Sequence, residues 1–245
     1  MKFTVVTPVK NCGDEIFKTI SSVRAQVNVD VEHLIIDGGQ INPSLWNRVD
    51  PSKNLRIVSS EDTGIYDAFN KGVSLANGGV IGFLGSGDRF ADQTSLEALK
   101  NTFLETGSDA VYGDLAFVAM GQQNMIVRNW VSGEYSRLKL LFGWMPPHPS
   151  LYVRKDVFNE VGYFDDRLSI SGDYDFIVRL FNKTTIRTSY VRKRIVLMVT
   201  GGISNRLGRN LLYKFMEDRK IAKNQHLLGF ITVMSKISRK SHQFF

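Results

Sequence analysis

Apolar positions in the first hundred residues alternate between short β-branched runs and stretches with helical spacing. Lys2–Pro8, Val31–Asp37, Leu55–Ser59 and Gly79–Leu84 are strand-like. Between them, Asp14–Gln26 sets Ile16, Phe17, Ile20 and Val23 on one helical face, and Ile65–Ala76 does the same with Ile65, Phe69, Val73 and Ala76. Strands alternating with such helices predict right-handed crossovers and a mainly parallel sheet covered on both faces, an α/β fold. Sheets of this kind bind ligands beyond the carboxyl ends of their strands. Asp37 and Asp88 stand at two such ends, and Asp62 lies just after a third.

The second hundred residues are less regular. Ala110–Asp114, Leu115–Met120 and Met125–Trp130 read as strands joined by turns in an antiparallel extension. Gly143–Ser150 holds three of the six prolines and predicts a shaped loop. Asp173–Phe181 predicts a helix with Phe176, Ile177 and Leu180 on one face and Asp173 at its start, where a carboxylate suits the helix dipole. From Arg206 onward the chain reads as one or two helices. With no repeat and no linker-like stretch, the expected organisation is one domain over residues 1–204 and a basic helical appendage over 205–245.

Charge sharpens that division. The 245 residues carry a formal charge of +7. Residues 201–245 hold nine Lys or Arg against Glu217 and Asp218 alone, so the preceding 200 residues are neutral. A neutral body with a basic tail argues against a nucleic-acid-binding core and for a local patch that meets phosphates or an anionic membrane surface. The single cysteine, Cys12, offers no disulfide, and no signal-peptide pattern opens the chain, so the expectation is a cytoplasmic protein. The tail's longest apolar run, Leu227–Met234, is eight residues, well short of the ~20 that a spanning helix needs. Membrane association is therefore expected to be peripheral, through the tail's interleaved basic and apolar positions.

Several chemistries lack their residues. No G-x-G-x-x-G follows the first strand, no phosphate loop of the G-x-x-x-x-G-K-[ST] type occurs, and neither His-Glu-x-x-His nor G-x-S-x-G is present. Asp37, Asp62, Asp67, Asp88, Asp173 and Asp175 remain, gathered at strand ends and helix starts. Any one of them suits a turn or a cap. Together, carboxylates on one sheet edge repel unless a cation or a donor-rich ligand sits among them, and a divalent metal with a nucleotide diphosphate would satisfy that edge.

The residues that carry a resemblance lie in order along the chain: Thr4–Asn11, Leu34–Gly39, Ser60–Gly72, Ile81–Asp88, His148-Pro149-Ser150, Gly162–Asp165 leading to Ser171–Asp175, and Gly201–Ser204. In these blocks the chain resembles the inverting family 2 glycosyltransferases of GT-A fold, most closely the bacterial polysaccharide and O-antigen subgroup. The resemblance implies that Thr7, Pro8 and Val9 line the nucleoside pocket, that Asp37 bonds base or ribose, and that Asp62, Asn70 and Ser86 help to hold the nucleotide sugar. It implies that Asp88 coordinates a divalent cation, Mn²⁺ or Mg²⁺, although Gly87 replaces one carboxylate of the family's D-x-D element. Phe69 stands where many relatives place Arg, which leaves Lys71 as the cation near the diphosphate.

Loss of a diphosphate leaving group calls for charge compensation, and attack by a hydroxyl calls for a base on the opposite face. Asp173 matches the family's base position. Asp175, two residues on, His148 in the proline-rich loop and Trp144 are the acceptor-side candidates. The implied reaction moves a hexose or N-acetylhexosamine from a UDP-linked donor to a lipid-linked oligosaccharide at the inner face of the cytoplasmic membrane. The alternative is a catalytically degenerate nucleotide-sugar-binding or membrane-surface protein.

Overall fold

A computed structural model of the chain describes residues 1–39, 43–50, 54–121, 125–200 and 209–241. Among these residues, nine strands form one sheet: β1 (Lys2–Val9), β2 (Asp30–Asp37), β3 (Leu55–Ser59), β4 (Val80–Phe83), β5 (Arg89–Phe90), β6 (Ala110–Val118), β7 (Ile126–Trp130), β8 (Leu151–Arg154) and β9 (Thr188–Val199). Their order is β3-β2-β1-β4-β8-β6-β9-β5, with β7 on β6. Parallel pairing joins β1 to β2 and β4, and β2 to β3, which is the crossover half read from the alternating pattern. Beyond β4 the sheet is mixed: β8 runs antiparallel to β4 and β6, whereas β9 runs parallel to β6.

Helices cover both faces. On one side, α1 (Ile16–Arg24) and α4 (Ser95–Thr106) contribute Val23, Leu96, Leu99 and Phe103 to a cluster with Phe3 and Val5 of β1. On the other, α3 (Ile65–Leu75) and α7 (Gly172–Asn182) pack Phe69, Val73, Phe176 and Ile177 against Val6, Leu34 and Ile36. Each such side chain, fully buried, contributes roughly 1.5–3 kcal/mol. The approach of α3 to β1 is close enough that a Cβ on Gly72 would stand 2.3 Å from a Val6 methyl. The short helices are α2 (Pro43–Trp46), α5 (Arg137–Leu141) and α6 (Val157–Val161), with a 3-10 turn at His148–Ser150.

One difference from the expected elements has a local cause. Ala110–Asp114 and Leu115–Met120 are not separate strands; they form the single strand β6, whose register against β9 shifts at Asp114 beside Gly113. A Cβ at Gly113 would meet Ile195 Cγ1 at 2.5 Å, so the glycine that resembles a turn admits a close strand neighbour instead. Helix α4, β8 and β9 are elements that the pattern reading did not include.

The C-terminal helices α8 (Arg209–Asn224) and α9 (Phe230–Ser241) pack on the body. Ile221, Ala222 and Leu227 share one buried cluster with Tyr174, Phe176 and Ile177 of α7. The Gly201–Ser204 block and Arg206 lie outside the described residues.

Candidate active site

The carboxyl ends of β1 and β2 and the loop after β3 meet at one edge. Asp37, the last residue of β2, is buried; its Oδ1 accepts the Gly39 N–H at 3.1 Å and its Oδ2 accepts the Trp46 indole N–H at 2.8 Å. The Asp62 side chain lies against Gly38, where a Cβ would meet Asp62 Oδ2. Lys10 reaches over this edge from the end of β1, its Nζ 3.8 Å from Asp62 Oδ1, with its side chain 62% exposed while that of Asp62 is 5% exposed. An exposed cation beside the Asp62 carboxylate, with Asp37 next to it on the same edge, suits a ligand that offers both hydroxyl donors and phosphate oxygens.

The other donor-side candidates divide. Pro8 keeps partial exposure, whereas Thr7 is buried and its hydroxyl bonds His33 Nε2 at 2.9 Å. Val9 is packed with Ile16, Ile20, Ile35 and Leu45. Asn70 is occupied twice by the Phe164 backbone, its Nδ2 donating to the carbonyl and its Oδ1 accepting the N–H, each at 2.9 Å. Lys71 pairs with Asp67 at 3.0 Å and donates to the Glu61 carbonyl. The structure thus places Asn70 in contacts that fasten α3 to the Phe164 backbone, and holds the Lys71 ammonium within α3 and against the Glu61 carbonyl, one residue before Asp62.

The Gly85–Asp88 turn is held by Thr19, whose hydroxyl donates to the Asp88 carbonyl at 2.8 Å and accepts the Gly87 N–H at 2.9 Å. Gly87 has φ +88°, a conformation that L side chains rarely adopt, and Glu15 Cβ lies 3.5 Å from where its Cβ would be. That backbone suits glycine at the position where the resemblance implies an acid. Asp88 is buried, its Oδ1 accepts the Val199 N–H at 2.9 Å, and burial pushes its carboxyl up to about 7 against the pull of that bond and of Arg89. Ser86 Oγ beside it finds no partner among the described residues.

Among the described residues, no three His, Cys, Asp or Glu side chains cluster as a metal-ligand set. A lone carboxylate fits a divalent cation held chiefly by substrate oxygens and water, as Mg²⁺ commonly is. Asp88, buried and undercompensated, is the residue that would hold it, and the bound cation would supply positive charge to a diphosphate.

A second group forms around the start of α7. Asp173 lies in its first turn, with Oδ1 accepting the Tyr174 N–H at 2.8 Å. Tyr66 of α3 donates to the Ile170 carbonyl at 2.6 Å, and burial and then the Asp173 charge push its phenol upward. His148 is buried among Phe83, Phe69 and Phe164, with ring centroids 5.2, 5.3 and 5.7 Å away. Burial lowers the His148 pKa below its ordinary value, with Asp173 pulling the other way, so the imidazole is neutral at pH 7. Its Nε2 has no partner among the described residues. Asp173, His148 and Tyr66 therefore share one locality.

The remaining acceptor-side candidates do not join them. Asp175 pairs with Arg179 at 2.8 Å, and Arg179 in turn donates to the carbonyls of Val161 and Tyr163, tying α7 to the end of α6. Trp144 is buried between Tyr112, Tyr135 and Phe181 and donates to the Ser132 carbonyl at 2.7 Å. Burial, Asp37 and Glu15 push the Cys12 thiol up to about 11, which leaves no thiolate nucleophile at neutral pH. Lys10 and Tyr66 gained no role from sequence although both lie inside the blocks that carry the resemblance.

Residues 4–162 match the family described as glycosyl transferase family 2. A PGL/p-HBAD biosynthesis glycosyltransferase of Mycobacterium bovis (strain BCG / Pasteur 1173P2) is 30% identical over 209 residues, covering 83% of this chain and 79% of its own length. The glycosyltransferase AglE of Haloferax volcanii is 27% identical over 191 residues, 72% of this chain and 60% of that relative. The crystal structure of S. aureus TarS 1–349 superposes with a TM-score of 0.70 over 98% of this chain and 73% of that one, at 18% identity. The same protein in complex with UDP-GlcNAc superposes with a TM-score of 0.68 over 92% and 65%, at 16% identity. These structural likenesses show a shared GT-A architecture, and the match over residues 4–162 shows that the chain belongs to glycosyl transferase family 2.

Proposed function

We propose that the protein is an inverting transferase that moves a hexose or N-acetylhexosamine from a UDP-linked donor to a hydroxyl of a lipid-linked oligosaccharide in bacterial surface polysaccharide synthesis. The observation that carries the reading is a pair of localities on either side of the start of α3: the Asp37, Asp62 and Lys10 edge, and the Asp173, His148 and Tyr66 group. The relative in complex with UDP-GlcNAc supports a UDP-sugar as the donor class.

In this reading Asp37 accepts hydroxyl or base N–H groups of the nucleoside, and Asp62 with Lys10 borders the ribose and diphosphate. Asp88 is the protein's share of a divalent cation site, consistent with the general use of such cations in the family. Asp173 takes the acceptor proton as the acceptor oxygen attacks the anomeric carbon. The bond from that carbon to the diphosphate breaks with its electron pair on the leaving oxygen, so one displacement inverts the configuration. His148, neutral and with no partner for its Nε2 among the described residues, orients the acceptor hydroxyl.

The tail supports a membrane-surface acceptor. Leu212, Tyr213 and Met216 on α8 and Phe230, Ile231 and Met234 on α9 are exposed. Arg219, Lys220, Lys223 and Arg239 are exposed on the same two helices. Apolar side chains among basic ones suit insertion at an anionic leaflet, which fits a cytoplasmic protein held peripherally at the inner membrane face. No helix among the described residues is long and apolar enough to cross a membrane.

Isothermal titration with UDP-sugars and GDP-sugars, each with Mn²⁺, Mg²⁺ or chelator and repeated on Asp88→Ala, tests the donor assignment. One UDP-sugar should bind in a metal-dependent way that Asp88→Ala abolishes. Binding of none would overturn the donor site, and binding without any turnover would favour the degenerate sugar-nucleotide binder.

A further inference from the structure

We infer that Glu217, on the C-terminal helix α8, is a positioning residue for Asp173 and makes α8 part of the catalytic unit. The inference rests on the reading of Asp173 as the base. The Glu217 carboxylate accepts three successive backbone N–H groups from the segment that enters α7: Oε1 takes that of Ser169 at 2.9 Å, and Oε2 takes those of Ile170 at 3.1 Å and Ser171 at 2.9 Å. Ser171 is the N-cap of α7, yet its own side chain makes no cap bond. N–H groups at a helix start need an acceptor, and a carboxylate also complements the dipole there. Here the acceptor comes from 46 residues downstream, and Asp173 follows two residues after the last N–H it holds.

The opposite side of the same segment is held by Tyr66, which donates to the Ile170 carbonyl at 2.6 Å. Gly172 permits this, since a Cβ there would stand 2.8 Å from the Tyr66 ring. The segment is thus clamped between α3 and α8 immediately before the base. Asp218, next to Glu217, fixes the orientation of α8: it is buried and pairs with buried Lys236 of α9 at 2.9 Å. The Lys236 ammonium lies 3.2 Å from the centroid of the Tyr174 ring, and Tyr174 directly follows Asp173. One acid of the pair therefore grips the backbone before the base, and its neighbour seats α8 and α9 against the ring after it.

If Glu217 only stapled the tail to the body, its loss would lower the folded fraction and leave the rate of each folded molecule unchanged. The test uses the full chain as wild type, Glu217→Gln, Glu217→Asp, Asp173→Asn and the Asp173→Asn/Glu217→Gln double variant. Release of UDP is followed from UDP-GlcNAc, UDP-glucose and UDP-galactose, with water or polyprenyl-diphosphate-linked GlcNAc as acceptor, on the pair that wild type turns over fastest. Calorimetric stoichiometry counts donor-binding sites. Glu217→Gln, isosteric but with one accepting oxygen removed, should lower kcat per site by about 10- to 100-fold with little change in donor Kd. Glu217→Asp, which keeps the charge but shortens the reach, should show an intermediate loss and serves if the Gln variant does not fold. Because Glu217 acts through Asp173, adding Glu217→Gln to Asp173→Asn should lower the rate no further. Wild-type kcat in both Glu217 variants, or losses that multiply in the double variant, would overturn the inference alone. Full activity in Asp173→Asn, or no UDP release from wild type with any probe, would overturn the base or transferase reading and this inference with it.

Discussion

The carboxylate of Asp62 occupies the space that a side chain on Gly38 would fill: a Cβ on Gly38 would stand 1.4 Å from Asp62 Oδ2. The end of β2 and the loop after β3 are thereby locked together, and Lys10 is drawn to the same carboxylate. Gly38→Ala must expel the Asp62 side chain from this seat. The expected outcome, read by donor titration, is a loss of at least about tenfold in affinity, or roughly 1.4 kcal/mol, with the fold retained. Unchanged affinity would remove Asp62 from the donor site.

The buried Asp218 and Lys236 pair gives a pH-dependent stability with a definite sign. Burial alone would raise the Asp218 carboxyl, but the Lys236 ammonium, with Lys214 beyond it, holds it below its ordinary value. Its contribution is fully present above the unfolded pKa and is lost as the pH falls through the folded one. Burial pushes Lys236 down to about 8 despite Asp218. The native state then sheds this proton before the unfolded chain does, and stability linked to Lys236 rises as the pH climbs from about 8 toward the ordinary lysine value. Asp218→Asn, which strands the ammonium, should cost about 3–5 kcal/mol, whereas Asp218→Leu with Lys236→Met should be near neutral. Urea denaturation at neutral and acidic pH reads both, with the double variant the less acid-sensitive.

Association with a membrane surface should follow the exposed face of α8 and α9. The 245-residue chain should float with vesicles containing anionic lipid and not with purely zwitterionic ones, and salt should weaken the effect. Replacing Phe230, Ile231 and Met234 by Ser should abolish flotation without altering donor affinity. Lys236, which the sequence places among the basic residues of this tail, takes no part, because Asp218 holds it inside.

What the chain reveals of itself before folding follows a physical division. The first four strands and the helices between them are legible because a parallel sheet covered on both faces demands continuous apolar runs and amphipathic helices. Asp37, Asp62 and Asp88 stand out as candidates because strand ends are where such sheets bind ligands. The join in β6 is hidden because Gly113 marks both turns and close strand contacts. Trp144 and Asn70 illustrate a second limit: an aromatic or an amide near a motif has the same letter whether it meets a ligand or a neighbouring backbone. Glu217 shows a third, since its three backbone partners lie more than forty residues away and leave no trace in local pattern.

The proposed transfer depends most directly on Asp173. Turnover of Asp173→Asn, measured beside its donor affinity, should fall by about 10²- to 10⁴-fold while the donor still binds as in wild type, because only the proton acceptor is lost. Turnover that persists, or donor binding that disappears with it, would contradict the assignment of Asp173 as the base.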